Sequence, residues 1–295
     1  MDLRQLTYFT EVVKLKSFTK ASQSLHLTQP TLSKVIKAME EELDMELLDR
    51  SSKHLELTHF GEIVYEEAVK IVAMVEDMNA MLKDKNQLKK GRIRIGLPPL
   101  GILFFPKILS GFKAKYPGIH IELVEHGANV VREKVDQGEL DIGFAMLPVD
   151  EDLFDVIPFS TDQLMLLVHH THPLASRKSV TLKALKDEPM IIFSKDYSLH
   201  DRIHQECHNA GFLPQVAYES SQFEFISELV RNDLGIAIFP EPFTYKVDKE
   251  MVKVLPIVNP PLYCENVILL KKGRYASRAT REFLNYVVAK HSKLE

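Results

Sequence analysis

At 295 residues with 45% hydrophobic content, the chain is long enough for more than one packed core, because single domains usually run to about 100–200 residues. It has no apolar run of membrane-spanning length and does not start with the charged-then-apolar layout of a secretory signal, so a soluble, cytoplasmic protein without membrane contact is expected. Two cysteines, Cys207 and Cys264, exclude a disulfide framework, and a net charge of −4 argues against a general nucleic-acid coat.

Charge placement says more than the sum. Residues 1–39 carry Arg4, Lys14, Lys16, Lys20, Lys34 and Lys37 against only Asp2 and Glu11. Residues 40–49 then carry Glu40, Glu41, Glu42, Asp44, Glu46 and Asp49 with no cation. A basic head with an acidic shoulder offers one face to phosphate and withholds another.

In chain order, Asp2 can cap a first helix, with Gln5 completing a capping box, and Leu3, Leu6, Phe9, Val12 and Val13 follow at helical spacing. Ser17 can cap a short second helix through Leu25, and His26-Leu27 makes a tight break. Thr28 can cap a third helix with Pro30 in its first turn, where a missing N–H costs nothing. That helix is expected to bury Leu32, Val35, Ile36, Met39 and Leu43 and to present Gln29, Thr31, Ser33, Lys34 and Lys37. A short ribbon, residues 47–57, carries Arg50 and Lys53 near its tip.

Thr58 can cap a long helix in which Val64, Ala68, Ile71, Val75, Met78 and Leu82 recur as a heptad seam. The seam predicts two such helices pairing; a helix lying on its own domain is the alternative. Residues 86–91 read as a hinge, after which strands alternate with helices: strands at 93–97, 119–124 and 140–146, helices from about 103 and over 130–135, and a last helix over 276–289. Some 200 residues of such alternation suit two small α/β lobes.

A short helix, a tight turn and a polar-faced helix form a helix-turn-helix, whose second helix enters the major groove of DNA. Gln29 suits adenine, Thr31 and Ser33 can bond to bases or phosphates, and Lys34 and Lys37 lie on the phosphate-facing side. Arg50 and Lys53 can reach the flanking backbone or the minor groove.

Leu3-Arg4-Gln5-Leu6, Ser17-Phe18-Thr19-Lys20-Ala21-Ser22, Thr28-Gln29-Pro30-Thr31-Leu32-Ser33, Glu40-Glu41-Glu42-Leu43, Leu47-Leu48-Asp49-Arg50 and Leu57-Thr58-His59-Phe60-Gly61 together resemble the N-terminal signature of LysR-type transcriptional regulators. Gly91-Arg92-Ile93-Arg94-Ile95-Gly96, His172-Pro173-Leu174-Ala175 and Gly235-Ile236-Ala237-Ile238-Phe239-Pro240 extend the likeness over the whole length. Within that family the chain resembles the CidR-like regulators of Firmicutes, which act on cid-type and overflow-metabolism operons.

The resemblance implies an α+β protein. It has a winged helix-turn-helix over 1–58, a dimerisation linker over 59–90, and a two-lobed α/β regulatory domain over 91–295 resembling periplasmic binding proteins. Lobe one would comprise 92–161 and 267–295 and lobe two 162–266, with strands crossing near 159–162 and 265–267. Thr19, Lys20, Thr28 and Pro30 join the DNA-contacting set by their place in the signature. The implied partners are promoter DNA, RNA polymerase, a small-molecule effector and further copies of the chain, as a homodimer or homotetramer; no cofactor is implied. The effector cleft would be lined by Pro98, Pro99, Leu100 and Gly101 after the first strand. Many relatives carry Ser or Thr in that loop; this chain does not, which leaves backbone N–H groups as its donors. Opposite stand Ser194, His200, Arg202, Ser220 and Ser221. Arg202 can hold a carboxylate bidentately, so a small organic acid is the expected effector; a surface arginine beside helix-capping serines is the alternative reading.

Other motifs carry less. His200, His204 and His208 share a helical face, but the outer two are about 12 Å apart at 1.5 Å per residue, so one ion cannot take both. The His169-His170-His172 cluster reads as solvated. Cys207 and Cys264 lack the close spacing of the peroxide-sensing OxyR-type members and read as buried, inert thiols. There is no Gly-x-Ser-x-Gly elbow, phosphate-binding glycine loop or zinc-protease motif, so no enzyme is expected. A solute receptor would explain the lobes but neither the head nor the seam.

Overall fold

A computed structural model describes residues 1–49, 55–84, 91–98 and 105–291. The chain forms two compact units: Met1–Leu88 with the short segments Gln137–Glu139 and Tyr275–Arg278, and the remainder.

The first unit begins with α1 (Leu3–Leu15). The Asp2 carboxylate accepts from the Gln5 amide at 2.8 Å, and the Gln5 side chain accepts from the Asp2 amide at 2.7 Å, which closes the capping box. Lys16 in the left-handed region ends the helix. In α2 (Phe18–Ser24), Ser17 Oγ accepts from the Lys20 amide at 3.3 Å. His26, at φ 54°, turns the chain into α3 (Gln29–Leu43), where Thr28 Oγ1 accepts from the Thr31 amide. The apolar faces of all three helices meet: Leu6, Phe9, Val12, Ala21, Leu32, Ile36 and Met39 form one cluster. Burying a side chain such as Phe9 or Ile36 stabilises the head by about 1.5–3 kcal/mol each. Val35 and Leu43, expected in this core, are only half-buried at its margin.

The root of the expected ribbon is described. Two-residue strands β1 (Leu48–Asp49) and β2 (Glu56–Leu57) pair antiparallel. Arg50 and Lys53 lie outside the described residues.

Helix α4 (His59–Asp84) starts where Thr58 Oγ1 accepts from the Gly61 amide at 3.0 Å. Its first turns lie on the head. Val64 and Ala68 pack into the core of their own head together with Tyr65 and Val72, because this part of α4 lies against α1. Farther along, Ile71, Met74, Met78, Met81 and Leu82 are exposed and Val75 is half-buried.

The second unit is a mixed α/β structure. Strands β3 (Gly91–Leu97), β4 (Ile119–Glu125) and β5 (Ile142–Met146) alternate with α5 (Phe105–Lys115) and α6 (Ala128–Asp136). The 16-residue strand β6 (Phe154–His169) leads into a second set of elements: β7 (Pro189–Phe193), α7 (Ser198–Asn209), β8 (Gln215–Ser220), α8 (Phe223–Arg231), β9 (Ala237–Pro240) and β10 (Val252–Pro256). Strand β11 (Tyr263–Lys271) returns, and α9 (Arg278–His291) ends the described chain. The main sheet runs β10-β6-β11-β5-β3-β4, with β9 also on β6; β7 and β8 form a parallel pair.

Strands β6 and β11 each serve two cores. Phe154 and Phe159 of β6, with Val267, Ile268 and Leu269 of β11, pack with α5, α6 and α9. Leu164, Leu166 and Leu167 of β6, with Cys264 of β11 and Leu262 just before it, pack with α7 and α8. The change of core falls between Phe159 and Leu164 on one strand and between Cys264 and Val267 on the other, beside a register shift at Asn266/Val267. This is a two-lobed domain strung on two crossing strands.

Candidate nucleic-acid interface and ligand cleft

Packing of α3 against α1 leaves one side outward. Thr28, Gln29, Pro30, Thr31, Lys34 and Lys37 are exposed there and Ser33 is half-buried; Thr19 and Lys20 at the start of α2 are exposed too. Two of the candidate hydroxyls are engaged, since Thr28 caps the helix and its Oγ1 lies 2.8 Å from Thr31 Oγ1. Gln29, Ser33 and Lys34 show no side-chain hydrogen bond among the described residues, so their donors face outward uncommitted. Lys37 Nζ stands 3.6 Å from Glu41, with both side chains about two-thirds exposed, a contact that water and salt screen to little.

The acidic shoulder is not uniform. Glu41, Asp44, Glu46 and Asp49 line a groove of about 550 Å³ at the far end of α3, which marks where the phosphate-compatible face stops. Glu40 also borders this groove but is 9% exposed, far less than its neighbours in the acidic run. Sequence reading missed this because a glutamate within an acidic run looks like its neighbours.

In the second unit, parallel pairing of β7 and β8 aligns Phe193 with Ser220 and brings Ser194 beside it. The Ser194 amide donates to the Ser220 carbonyl at 3.0 Å, and Ser220 Oγ accepts from the Gln222 amide at 3.1 Å, just before α8. The Ser220 hydroxyl therefore holds a turn, while Ser221 is exposed. His200 is 8% exposed; its Nδ1 lies 3.0 Å from Asp201, and its ring is 4.4 Å from that of His204. Arg202 Nη2 pairs with Glu206 at 3.0 Å, so one end of the fork is occupied, yet its Nε is buried without a partner.

Pro98 is half-buried at the end of β3; Pro99, Leu100 and Gly101 lie outside the described residues. The two lobes approach closely at Gly127, where a Cβ would stand 2.2 Å from the Asp196 carbonyl oxygen. Beside it the Tyr197 phenol is raised above its usual range by burial, then by the carboxylates of Glu125 and Asp196.

A polar knot on the crossing strands escaped the sequence reading. Asn266 Nδ2 donates to Ser160 Oγ at 3.0 Å and to Asp162 Oδ2 at 2.8 Å, and Ser160 Oγ donates to Asp162 Oδ2 at 2.9 Å. The only available signal was that all three fall at the expected crossings. A groove of about 640 Å³ opens beside the knot, lined among others by Leu147, Pro158, Thr161, Glu265 and Lys272. None of the five polar candidates from 194–221 lines it.

Burial pushes the Cys207 thiol up to about 11 and the Cys264 thiol up to about 12, so both are protonated at neutral pH and poor nucleophiles. Burial, and then His200, lowers His204 below the usual imidazole range. Among the described residues no cluster of His, Cys, Asp or Glu is arranged to hold a metal, and no helix is long and apolar enough to cross a membrane.

A capped helix-turn-helix with a wing, a linker helix and a two-lobed α/β domain together define a DNA-binding transcription regulator with an effector-binding domain. Residues 3–62 match the family described as bacterial regulatory helix-turn-helix protein, lysR family, and residues 86–292 match the LysR substrate binding domain. The chain belongs to the LysR family of transcription regulators, and such proteins are not enzymes. It is 47% identical over 287 residues to the uncharacterized HTH-type transcriptional regulator YwbI of Bacillus subtilis (strain 168), covering 97% of this chain and 95% of that one. Full-length OxyR from Pseudomonas aeruginosa has the same fold at TM-score 0.77 and 22% identity, covering 99% of this chain and 94% of that one. Full-length CbnR, solved in complex with its target DNA, matches at TM-score 0.68 and 19% identity, covering 98% and 99%.

Proposed function

We propose that α3 reads operator DNA in the major groove, that α4 pairs two heads over successive half-sites, and that a small carboxylate between the lobes adjusts their spacing. The observation that carries the DNA reading is the outward side of α3, where Gln29, Ser33 and Lys34 stand uncommitted on a rigidly packed helix. Wing residues Arg50 and Lys53 would meet the flanking backbone. Regulatory domains would pair further to a homotetramer, and the spacing of the heads would set DNA bend and contact with RNA polymerase. The likeness to CidR-like regulators supports cid-type or overflow-metabolism genes as targets and a cytoplasmic site of action.

The test is a gel shift with the intergenic DNA upstream of the gene, at titrated salt. Replacing Gln29 or Ser33 by Ala is expected to cost about 1–3 kcal/mol and to relax preference at one base pair, whereas Lys34→Ala should weaken all sequences alike and reduce the salt slope by about one. Equal losses on specific and random DNA for all three variants would refute the groove assignment.

Support for a carboxylate comes from Arg202, whose buried Nε has no partner. Titration calorimetry with acetate, pyruvate and similar acids should give heat that Arg202→Gln removes. No heat from any acid, with binding of an uncharged ligand instead, would overturn this choice of effector.

A further inference from the structure

We infer that Glu40 is a positioning residue for DNA recognition: its carboxylate fixes the root of the wing, and with it the start of the linker helix, on the recognition helix. The inference rests on the reading of α3 as the groove-entering helix.

Glu40 lies in the last turn of α3, on the side that carries Ile36 and Met39 into the core. A carboxylate there is unexpected on burial grounds, because removal from water costs several kcal/mol unless the charge is well paired. It is held: Oε1 accepts from the Leu47 amide at 2.9 Å and from the Leu48 amide at 3.2 Å. Hydrogen bonds to an ionised acceptor are roughly twice as strong as neutral ones. Those amides belong to buried residues at the entrance to β1, so losing the acceptor would strand both donors.

The wing cannot place itself. Its strands pair only with each other, and a lone two-stranded hairpin is marginally stable at best. What it is tied to therefore sets its position. From Leu47 the connection continues: the Leu47 carbonyl accepts from the Thr58 amide at 3.0 Å, Thr58 Oγ1 donates to the Glu46 carbonyl at 2.6 Å, and the same oxygen accepts from the Gly61 amide at 3.0 Å. Recognition helix, wing root and linker helix thus meet through two side chains, Glu40 and Thr58, and the backbone between them. In a paired protein the direction of α4 sets the separation of the two recognition helices. Glu40 is the contact that keeps this direction in register with α3.

The test uses the full-length protein with Glu40→Gln, Glu40→Asp and Glu40→Ala. Gln keeps an acceptor at the same reach, Asp keeps the charge but withdraws it by one methylene, and Ala removes both. Amide exchange is read at Leu47 and Leu48, and hydroxyl-radical footprints on the upstream intergenic DNA are read in parallel. Asp and Ala should accelerate exchange at both amides at least tenfold while Phe9 and Val12 in α1 keep their protection. They should weaken the flanking protections more than those at the half-site centre; Gln should restore both patterns and bind within a few-fold of wild type. Uniform loss of exchange protection across the head would reduce Glu40 to a general stability role and overturn the proposal, as would Gln behaving like Ala. If Ala fails to fold, the Asp–Gln comparison decides. If the wild type gives no footprint, the DNA reading fails by itself, and the exchange data still decide whether Glu40 holds the wing root.

Discussion

Met78→Glu is expected to abolish pairing through the linker helix and to lower affinity for a two-half-site operator by roughly 10²–10⁴-fold, the factor by which linked binding exceeds single-site binding. Ile71, Met74, Met78, Met81 and Leu82 are 40%, 70%, 52%, 45% and 66% exposed along the distal half of α4. Their spacing keeps them on one broad helical side, and an apolar stripe of this kind on a polar helix is what a partner helix buries. A glutamate at its centre would have to be desolvated against apolar neighbours, at several kcal/mol per ion. The head should still fold, because Met78 is not part of its core. Sedimentation should show dissociated chains, and footprinting should show one half-site or none. A Val64→Glu control should do something different: Val64 packs on the head core, so that variant should unfold the head rather than separate two intact ones. Unchanged assembly and unchanged footprints in Met78→Glu would mean that this stripe does not set the spacing of the heads.

Gly61→Ala should destabilise the head by about 3 kcal/mol or more, at the upper end of overpacking effects. An added Cβ would stand 2.0 Å from the Leu47 carbonyl oxygen, 2.9 Å from its carbon and 3.0 Å from Leu57 Cδ2. The carbonyl cannot simply move aside, because it accepts from the Thr58 amide and its own residue donates to Glu40. At about 4–8 °C per kcal/mol for a domain of this size, the melting transition of the head should drop by roughly 12–24 °C. That of the α/β domain should stay in place. Scanning calorimetry on the full chain separates the two outcomes; a head transition within a degree or two of wild type would show that the wing root yields easily.

Several features were readable before any coordinates because short-range chemistry decides them. Asp2 with Gln5, Ser17, Thr28 and Thr58 each satisfy amides only three residues away, so residue type and spacing sufficed to place four helix starts. The same holds for the inward side of α3, where period 3.6 selects Leu32, Ile36 and Met39. Order of elements and the alternation of strands and helices after residue 91 were likewise legible.

Contacts made at long range were not. A heptad pattern cannot say what covers it, and only the packing of α4 on α1 shows that Val64 and Ala68 serve their own head while Ile71, Met74, Met78, Met81 and Leu82 stay exposed. An acidic run does not reveal that Glu40 alone is buried, since the amides that donate to it lie seven and eight residues ahead across a chain reversal. Asn266 lies more than 100 residues along the chain from Ser160 and Asp162, and only antiparallel pairing of β6 with β11 brings it within bonding distance of them. Local backbone chemistry and periodicity determined where the helices of the head begin and which sides turn inward. Which polar groups become buried, which apolar ones stay outside, and how Arg202 is shared with Glu206 were decided by tertiary packing, because burial and pairing depend on neighbours that sequence distance does not reveal.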